Sequence, residues 1–163
     1  MTLDELNRLP SPRAAAEFSR CCGSARWAAA MAAARPFARF DAMVQKGDEI
    51  WESLGKTDWL EAFAAHPRIG DRRRVSAWSE AEQSGMESAD EETTERLAAL
   101  NQLYQRRFGY MFIVCATGKS PAEMLAMLEA RISNGPNAEL GIAADEQRKI
   151  TGLRLAKLVD AHT

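Results

Sequence analysis

Residues Ala89 to Phe108 read ADEETTERLAALNQLYQRRF, and this stretch sets the fold class. Its first turns carry Asp90, Glu91 and Glu92 and its last turn carries Arg106 and Arg107, the charge order that a helix dipole favours at each end. Leu97, Leu100, Leu103 and Tyr104 recur at spacings of three, four and seven, which predicts one apolar helical face. Gly109 follows directly and suits the left-handed residue that ends a helix.

Working outward, the same punctuation recurs. Thr2 with Glu5 forms a capping box, Pro10 closes that short segment, and Ser11-Pro12 opens the next, with Gly23 expected to end it after Cys22. Ser24 is the expected cap of a third helix, whose Trp27, Met31 and Ala34 form an apolar stripe and which Pro36 stops. Phe40 to Leu54 is broadly helical with Gly47 as a weak point, and Thr57 is read as the cap of a short helix carrying Trp59, Leu60 and Phe63. Ser120, Pro121 and Glu123 open a further helix that Asn134-Gly135-Pro136 breaks. Asn137 is read as the cap of the last, with Ile150, Leu153 and Leu158 as core contacts. Tyr110 to Ala116 differs. It is a continuous apolar run with β-branched Ile113 and Val114, too short for a convincing helix, and is expected to be buried and extended. The expected architecture is an all-α, multi-helix bundle forming a single domain over residues 1–163, with one short extended buried segment near 110–116.

Composition removes several functional classes. A chain of 163 residues with 46% hydrophobic and 27% charged residues has the makeup of an ordinary globular domain. Lys+Arg 21 against Asp+Glu 23 leaves a net charge of -2, which offers no general attraction to nucleic acid or anionic lipid. No apolar run suits a membrane span or signal peptide, so neither a nucleic acid nor a membrane is an expected partner. The cysteines Cys21, Cys22 and Cys115 form neither an even disulfide framework nor a metal-binding spacing, which fits a reducing cytoplasm. The terminal Ala161-His162-Thr163 is not a peroxisomal signal, and a cytoplasmic, bacterial setting is expected.

Of the two histidines, His162 sits beside the last residue, so His66 is the imidazole expected to have a fixed environment. Pro67 bars the residue before it from ordinary helical backbone and turns His66 out at a rigid corner. Its unperturbed pKa near 6.5 suits acid/base work, although a histidine at a helix end can equally be satisfied by nearby carbonyls. Ser79-Glu80-Ala81-Glu82-Gln83 likewise has two readings. Ser79 with Glu82 is a formal capping box, while Glu82 and Gln83 offer the acceptors and donors that a small polar ligand requires. Arg72-Arg73-Arg74 reads as solvated surface, and Cys115, between Val114 and Ala116, as a packed thiol rather than a nucleophile. There is no HExxH pair, GxSxG elbow, phosphate loop or dinucleotide turn. No metal site is expected, and an enzyme built from these residues would run cofactor-free acid/base chemistry.

The run Trp59-Leu60-Glu61-Ala62-Phe63-Ala64-Ala65-His66-Pro67-Arg68-Ile69-Gly70-Asp71, followed by Ser79-x-x-Glu82-Gln83, resembles the 2-oxo-4-hydroxy-4-carboxy-5-ureidoimidazoline (OHCU) decarboxylases of urate catabolism. The likeness extends through Leu100-Asn101-x-x-Tyr104, Arg107-Phe108-Gly109, Phe112 to Ala116 with Thr117-Gly118-Lys119-Ser120, and Glu146-Gln147-x-Lys149-Ile150-x-x-Leu153-Arg154-Leu155. It implies an all-helical homodimer that forms (S)-allantoin and carbon dioxide without metal or organic cofactor. It places the catalytic histidine on His66; Glu82 is expected, from the chemistry of a carboxylate at that place, to join it in the acid/base work. Substrate contacts fall on Pro67, on Ser79, Glu80, Ala81, Glu82 and Gln83, and on the backbone of Phe112, Ile113, Val114, Cys115 and Ala116. Met111 departs from the pattern, since many members carry proline there.

Two other readings compete. One is a non-enzymatic helical module that receives a partner helix in an apolar groove. The other is a related lyase or hydrolase acting on a different ureide, which Glu82 and Gln83 would serve equally well.

Overall fold

The computed structural model describes residues 1–66 and 91–159. Every regular element among them is a helix: α1 Leu3–Arg8, α2 Ser11–Ser19, α3 Ala25–Ala34, α4 Phe40–Ser53, α5 Lys56–Ala64, α6 Glu91–Phe108, α7 Pro121–Arg131 and α8 Pro136–Leu158. No helix among the described residues is long and apolar enough to cross a membrane. Contacts group the chain into two compact units, Met1–Ala65 with Gln147–Thr163, and His66–Glu146.

In the first unit the helix ends are closed by the expected groups. Thr2 and Glu5 exchange their reciprocal hydrogen bonds, and the Ser24 hydroxyl accepts the Trp27 N–H at 3.1 Å. The last carbonyls of α1 are taken by Arg35, whose Nη1 donates to Leu6 at 2.8 Å and Leu9 at 2.7 Å. Packing is led by aromatic rings. Trp27, fully buried, stands edge-on to Phe18 at 6.1 Å and donates Nε1 to the Gly47 carbonyl at 3.0 Å.

Gly47 is therefore a point of close approach rather than a break in α4: a Cβ there would lie 3.3 Å from the Trp27 ring. Gly23 also differs from expectation. Its backbone is not left-handed, and α2 ends earlier, at Ser19. What its lack of a side chain permits is contact, because a Cβ on Gly23 would stand 2.4 Å from the Ala65 Cβ. Thr57 lies inside the first turn of α5, which Gly55 precedes as the N-cap.

The second unit contains α6, α7 and the first turns of α8. Gly109 takes φ +86 and ends α6 as its position suggests, and the Ser120 hydroxyl accepts the Glu123 N–H at 3.1 Å to start α7. In α6 the buried face is Leu97, Asn101 and Tyr104, while Leu103 is 47% exposed. At 100° per residue, Leu103 points well away from the direction shared by positions 97, 101 and 104. Asn101 is accommodated because its Nδ2 donates to the Leu97 carbonyl at 2.8 Å, one turn back. On α8 the same geometry buries Leu155 and leaves Leu153 41% exposed. This last helix begins at Pro136, so Asn137 lies within it rather than capping it.

Candidate functional site

Two of the expected site elements lie among the described residues, His66 and the run from Phe112 to Ala116, and both belong to the second unit. Pro67, Ser79, Glu80, Ala81, Glu82 and Gln83 lie outside the described residues, as do Arg72, Arg73, Arg74 and His162.

His66 stands at a bend two residues past the end of α5 and is half-buried. Ala65 still has helical backbone, φ -78 and ψ -13, and its N–H returns to the Ala62 carbonyl at 3.2 Å. The chain leaves the helix at His66, where the following proline excludes further helical backbone. His66 thus follows closely on a helix that buries Ala62 and Phe63.

Residues Phe112 to Ala116 are buried and carry neither helix nor sheet pairing. A buried backbone outside regular structure must find its hydrogen bonds elsewhere, and here side chains supply three of them. Arg131 donates Nη1 to the Ile113 carbonyl at 2.7 Å. The Cys115 N–H donates to Glu146 Oε1 at 3.0 Å, and the Cys115 carbonyl accepts Lys119 Nζ at 2.9 Å. No hydrogen bond to the N–H or C=O of Val114 occurs among the described residues, although Val114 is only 6% exposed.

Arg131 is held rigidly. Its Nε and Nη2 donate to Glu139 Oε2 at 2.9 and 2.6 Å, and its guanidinium lies 4.5 Å from the centre of the Phe112 ring. Both partners are nearly or fully buried, with side-chain exposures of 7% and 0%. Glu139 is further satisfied by Asn134 Nδ2 at 3.1 Å and the Tyr104 hydroxyl at 2.5 Å. Burial first, and then this bond to a carboxylate, push the Tyr104 hydroxyl well above the ordinary phenol range, so it remains a donor. Tyr104 and Phe112 pack edge-on at 5.4 Å.

The arrangement is a fixed backbone segment presenting peptide groups within a buried environment. Such a segment can read amide and urea functions by complementary hydrogen bonds. The side chains that fix it, Arg131, Glu139, Glu146 and Lys119, are not visible as site residues in the sequence. Arg131 in a last helical turn and Glu139 in a first turn read as ordinary complements to helix dipoles. Lys119 and Glu146 fall within runs that carry the family resemblance, whereas for Arg131 and Glu139 the one signal is the buried apolar run itself, whose backbone requires partners from somewhere.

All three cysteines are buried thiols. Desolvation pushes Cys21 up to about 12 and Cys22 up to about 11, so neither supplies a thiolate near neutral pH.

A family model described as OHCU decarboxylase matches residues 7–156. The "uric acid degradation bifunctional protein TTL" of Arabidopsis thaliana is 43% identical over 153 residues, covering 87% of this chain and 46% of that protein. The chain thus spans about half the length of that bifunctional relative. The 2-oxo-4-hydroxy-4-carboxy-5-ureidoimidazoline decarboxylase of Haloferax volcanii is 30% identical over 160 residues, covering 96% of this chain and 95% of the relative. A crystal structure of OHCU decarboxylase in the presence of (S)-allantoin superposes with a TM-score of 0.79 at 39% identity, covering 88% of this chain and 97% of that one.

Proposed function

Because the chain belongs to the OHCU decarboxylase family, we propose that it is a carboxy-lyase that converts OHCU to (S)-allantoin and carbon dioxide in urate degradation, with His66 moving the proton and Glu82 and Gln83 orienting the substrate. The observation that carries this reading is the ordered set His66-Pro67-Arg68-Ile69-Gly70-Asp71, Ser79-x-x-Glu82-Gln83 and Phe112 to Ala116 within a family match over residues 7–156. A helical interaction module explains the helices but leaves that combination without a reason.

The reaction needs no external electron sink. When the bond from the hydroxyl-bearing ring carbon to its carboxylate breaks, the released pair forms a double bond to the neighbouring ureido-bearing carbon. The former carbon–nitrogen double bond then places its pair on nitrogen, which takes up a proton. The resulting enol gives up its hydroxyl proton while the ureido-bearing carbon gains one, and that carbon becomes the stereocentre of allantoin. Protonation from a single face sets the (S) product. His66 suits this transfer because an imidazole is competent as acid and as base near neutral pH. Glu82 accepts hydrogen bonds from the hydroxyl or ureido N–H groups, and Gln83 both donates to and accepts from the ring amides.

Peptide groups of Phe112 to Ala116 complete the recognition from a buried segment. We place the chain in the cytoplasm as a single-domain homodimer, with the small-molecule substrate as its ligand. Titration calorimetry with (S)-allantoin tests the site: saturable binding in the wild type that is lost in Glu82→Ala/Gln83→Ala is expected. Absence of binding in the wild type would favour the interaction module.

A further inference from the structure

Arg131 and Glu146 grip the two peptide groups that flank Val114, and their grip determines where the backbone of Val114 points. The peptide bonds on either side are trans, the Arg35-Pro36 bond being the cis bond in the described chain. In a trans peptide the C=O and the N–H lie in one plane and point in opposite directions. Arg131 Nη1, bound to the Ile113 carbonyl at 2.7 Å, therefore turns the Val114 N–H away from the guanidinium. Glu146 Oε1, bound to the Cys115 N–H at 3.0 Å, turns the Val114 carbonyl away from its carboxylate in the same manner.

Phe112 and Val114 are both buried with no hydrogen bond to their own N–H or C=O among the described residues, and of the two Val114 is the one whose flanking peptide groups are each held by a side chain. Two such groups are costly unless something meets them. A donor and an acceptor carried by one residue match the adjacent acceptor and donor of a urea or cyclic amide.

We infer that Arg131 and Glu146 are positioning residues that aim the N–H and C=O of Val114 at a urea-type function of the substrate, an inference that rests on the function proposed above. Arg131 is fitted to this task by its own restraints. Its planar fork is held at Nε and Nη2 by Glu139 and stacked on Phe112, which leaves Nη1 committed to one direction. A lysine at 131 would keep a cation beside Glu139 but lacks the fork that reaches both acceptors.

The test uses the full chain labelled with 15N at valine, (S)-allantoin as the binding probe, and steady-state decarboxylation of OHCU. The variants are Glu146→Leu against Glu146→Gln, whose amide oxygen still accepts the Cys115 N–H, and the charge-neutral double change Arg131→Met/Glu139→Gln, with Arg131→Lys as a milder form. Helical circular dichroism checks that each is folded. In the wild type the Val114 amide resonance is expected to shift on adding allantoin. In Glu146→Leu and Arg131→Met/Glu139→Gln that shift is expected to vanish, and KM to rise about tenfold, the loss typical of one well-made hydrogen bond, with kcat changing less. Glu146→Gln is expected to recover most of the shift and of the KM, which a purely structural role for the charge would not explain.

Folded disruptive variants that keep the wild-type Val114 shift and KM would overturn the inference while leaving the proposed function standing. A wild type that neither binds allantoin nor decarboxylates OHCU would overturn both.

Discussion

Arg131, at the end of α7, donates Nη1 to the carbonyl of Ile113 eighteen residues earlier, at 2.7 Å. The same guanidinium is paired with Glu139, at 2.6 Å from Nη2. This pair couples stability to site geometry, because the ionic partner that keeps Arg131 in place is itself fully buried. Arg131→Met would leave Glu139 as an uncompensated buried charge, and breaking a pair in this way costs about 3–5 kcal/mol. Arg131→Met/Glu139→Gln removes both charges and is expected to recover most of that loss, since the amide oxygen at position 139 still accepts from the Tyr104 hydroxyl. Urea denaturation of the single and double variants checks this. Equal stability of the two would show that the ion pair is not the source of the cost.

Gly23 and Ala65 give a second test, which links packing to the candidate catalytic residue. A Cβ at Gly23 would lie 2.4 Å from the Ala65 Cβ. That atom cannot rotate away, so the backbone at Gly23 or at Ala65 must shift, and a shift at Ala65 is passed to His66, its neighbour in the chain. Gly23→Ala is expected to lower stability by about 1–3 kcal/mol, as overpacking does, and to reduce activity at temperatures where the variant is still folded. Unfolding curves with parallel rate measurements check it. Unchanged stability and rate would mean that the contact is relieved without moving Ala65.

Alkaline pH gives a third. Burial holds the thiols of Cys21 and Cys22 at about 12 and about 11, against an ordinary value of 9.0. The unfolded chain loses these protons first, so the stability they contribute is complete below about pH 9 and is lost as pH rises toward 11 and 12. Linkage gives a slope of about 1.4 kcal/mol per pH unit for each thiol within that window. Tyr104, whose hydroxyl is also raised by burial, steepens the fall above pH 10. Cys21→Ala/Cys22→Ala is expected to show a shallower decline between pH 9 and 11 in chemical denaturation. Parallel declines in variant and wild type would contradict the assignment.

What the sequence reveals is governed by local physics. The caps at Thr2, Ser24 and Ser120 and the left-handed Gly109 are legible because each involves groups within a few residues. The burial of residues 110–116 follows from their composition. The inward face of a helix is harder to read, because a run of several leucines contains more apolar positions than the core accepts. Leu103 and Leu153 are therefore exposed, while Asn101, satisfied within its own helix, and Leu155 are buried.

The support of the candidate site is not legible as support: Glu146 and Lys119 stand in the runs that carry the resemblance, with nothing there to say what they hold. Arg131, Glu139 and Glu146 act across the chain on backbone atoms, and a backbone acceptor leaves no signature in side-chain identity. His66 and the buried run are readable from the sequence, as are Glu82 and Gln83 as ligand-reading types. The residues that aim the backbone emerge only when the hydrogen bonds of that backbone are traced.

The most direct measurement is circular dichroism of allantoin formed from freshly generated OHCU, comparing wild type, His66→Ala and Glu82→Ala with the slow spontaneous reaction. It reports rate and handedness together. The expected result is rapid formation of the (S) product by wild type and loss of the enzymatic phase in both folded variants. A wild-type trace no faster than the spontaneous reaction would contradict the decarboxylase function, and a folded His66→Ala variant of undiminished rate would contradict the proton-transfer role of His66.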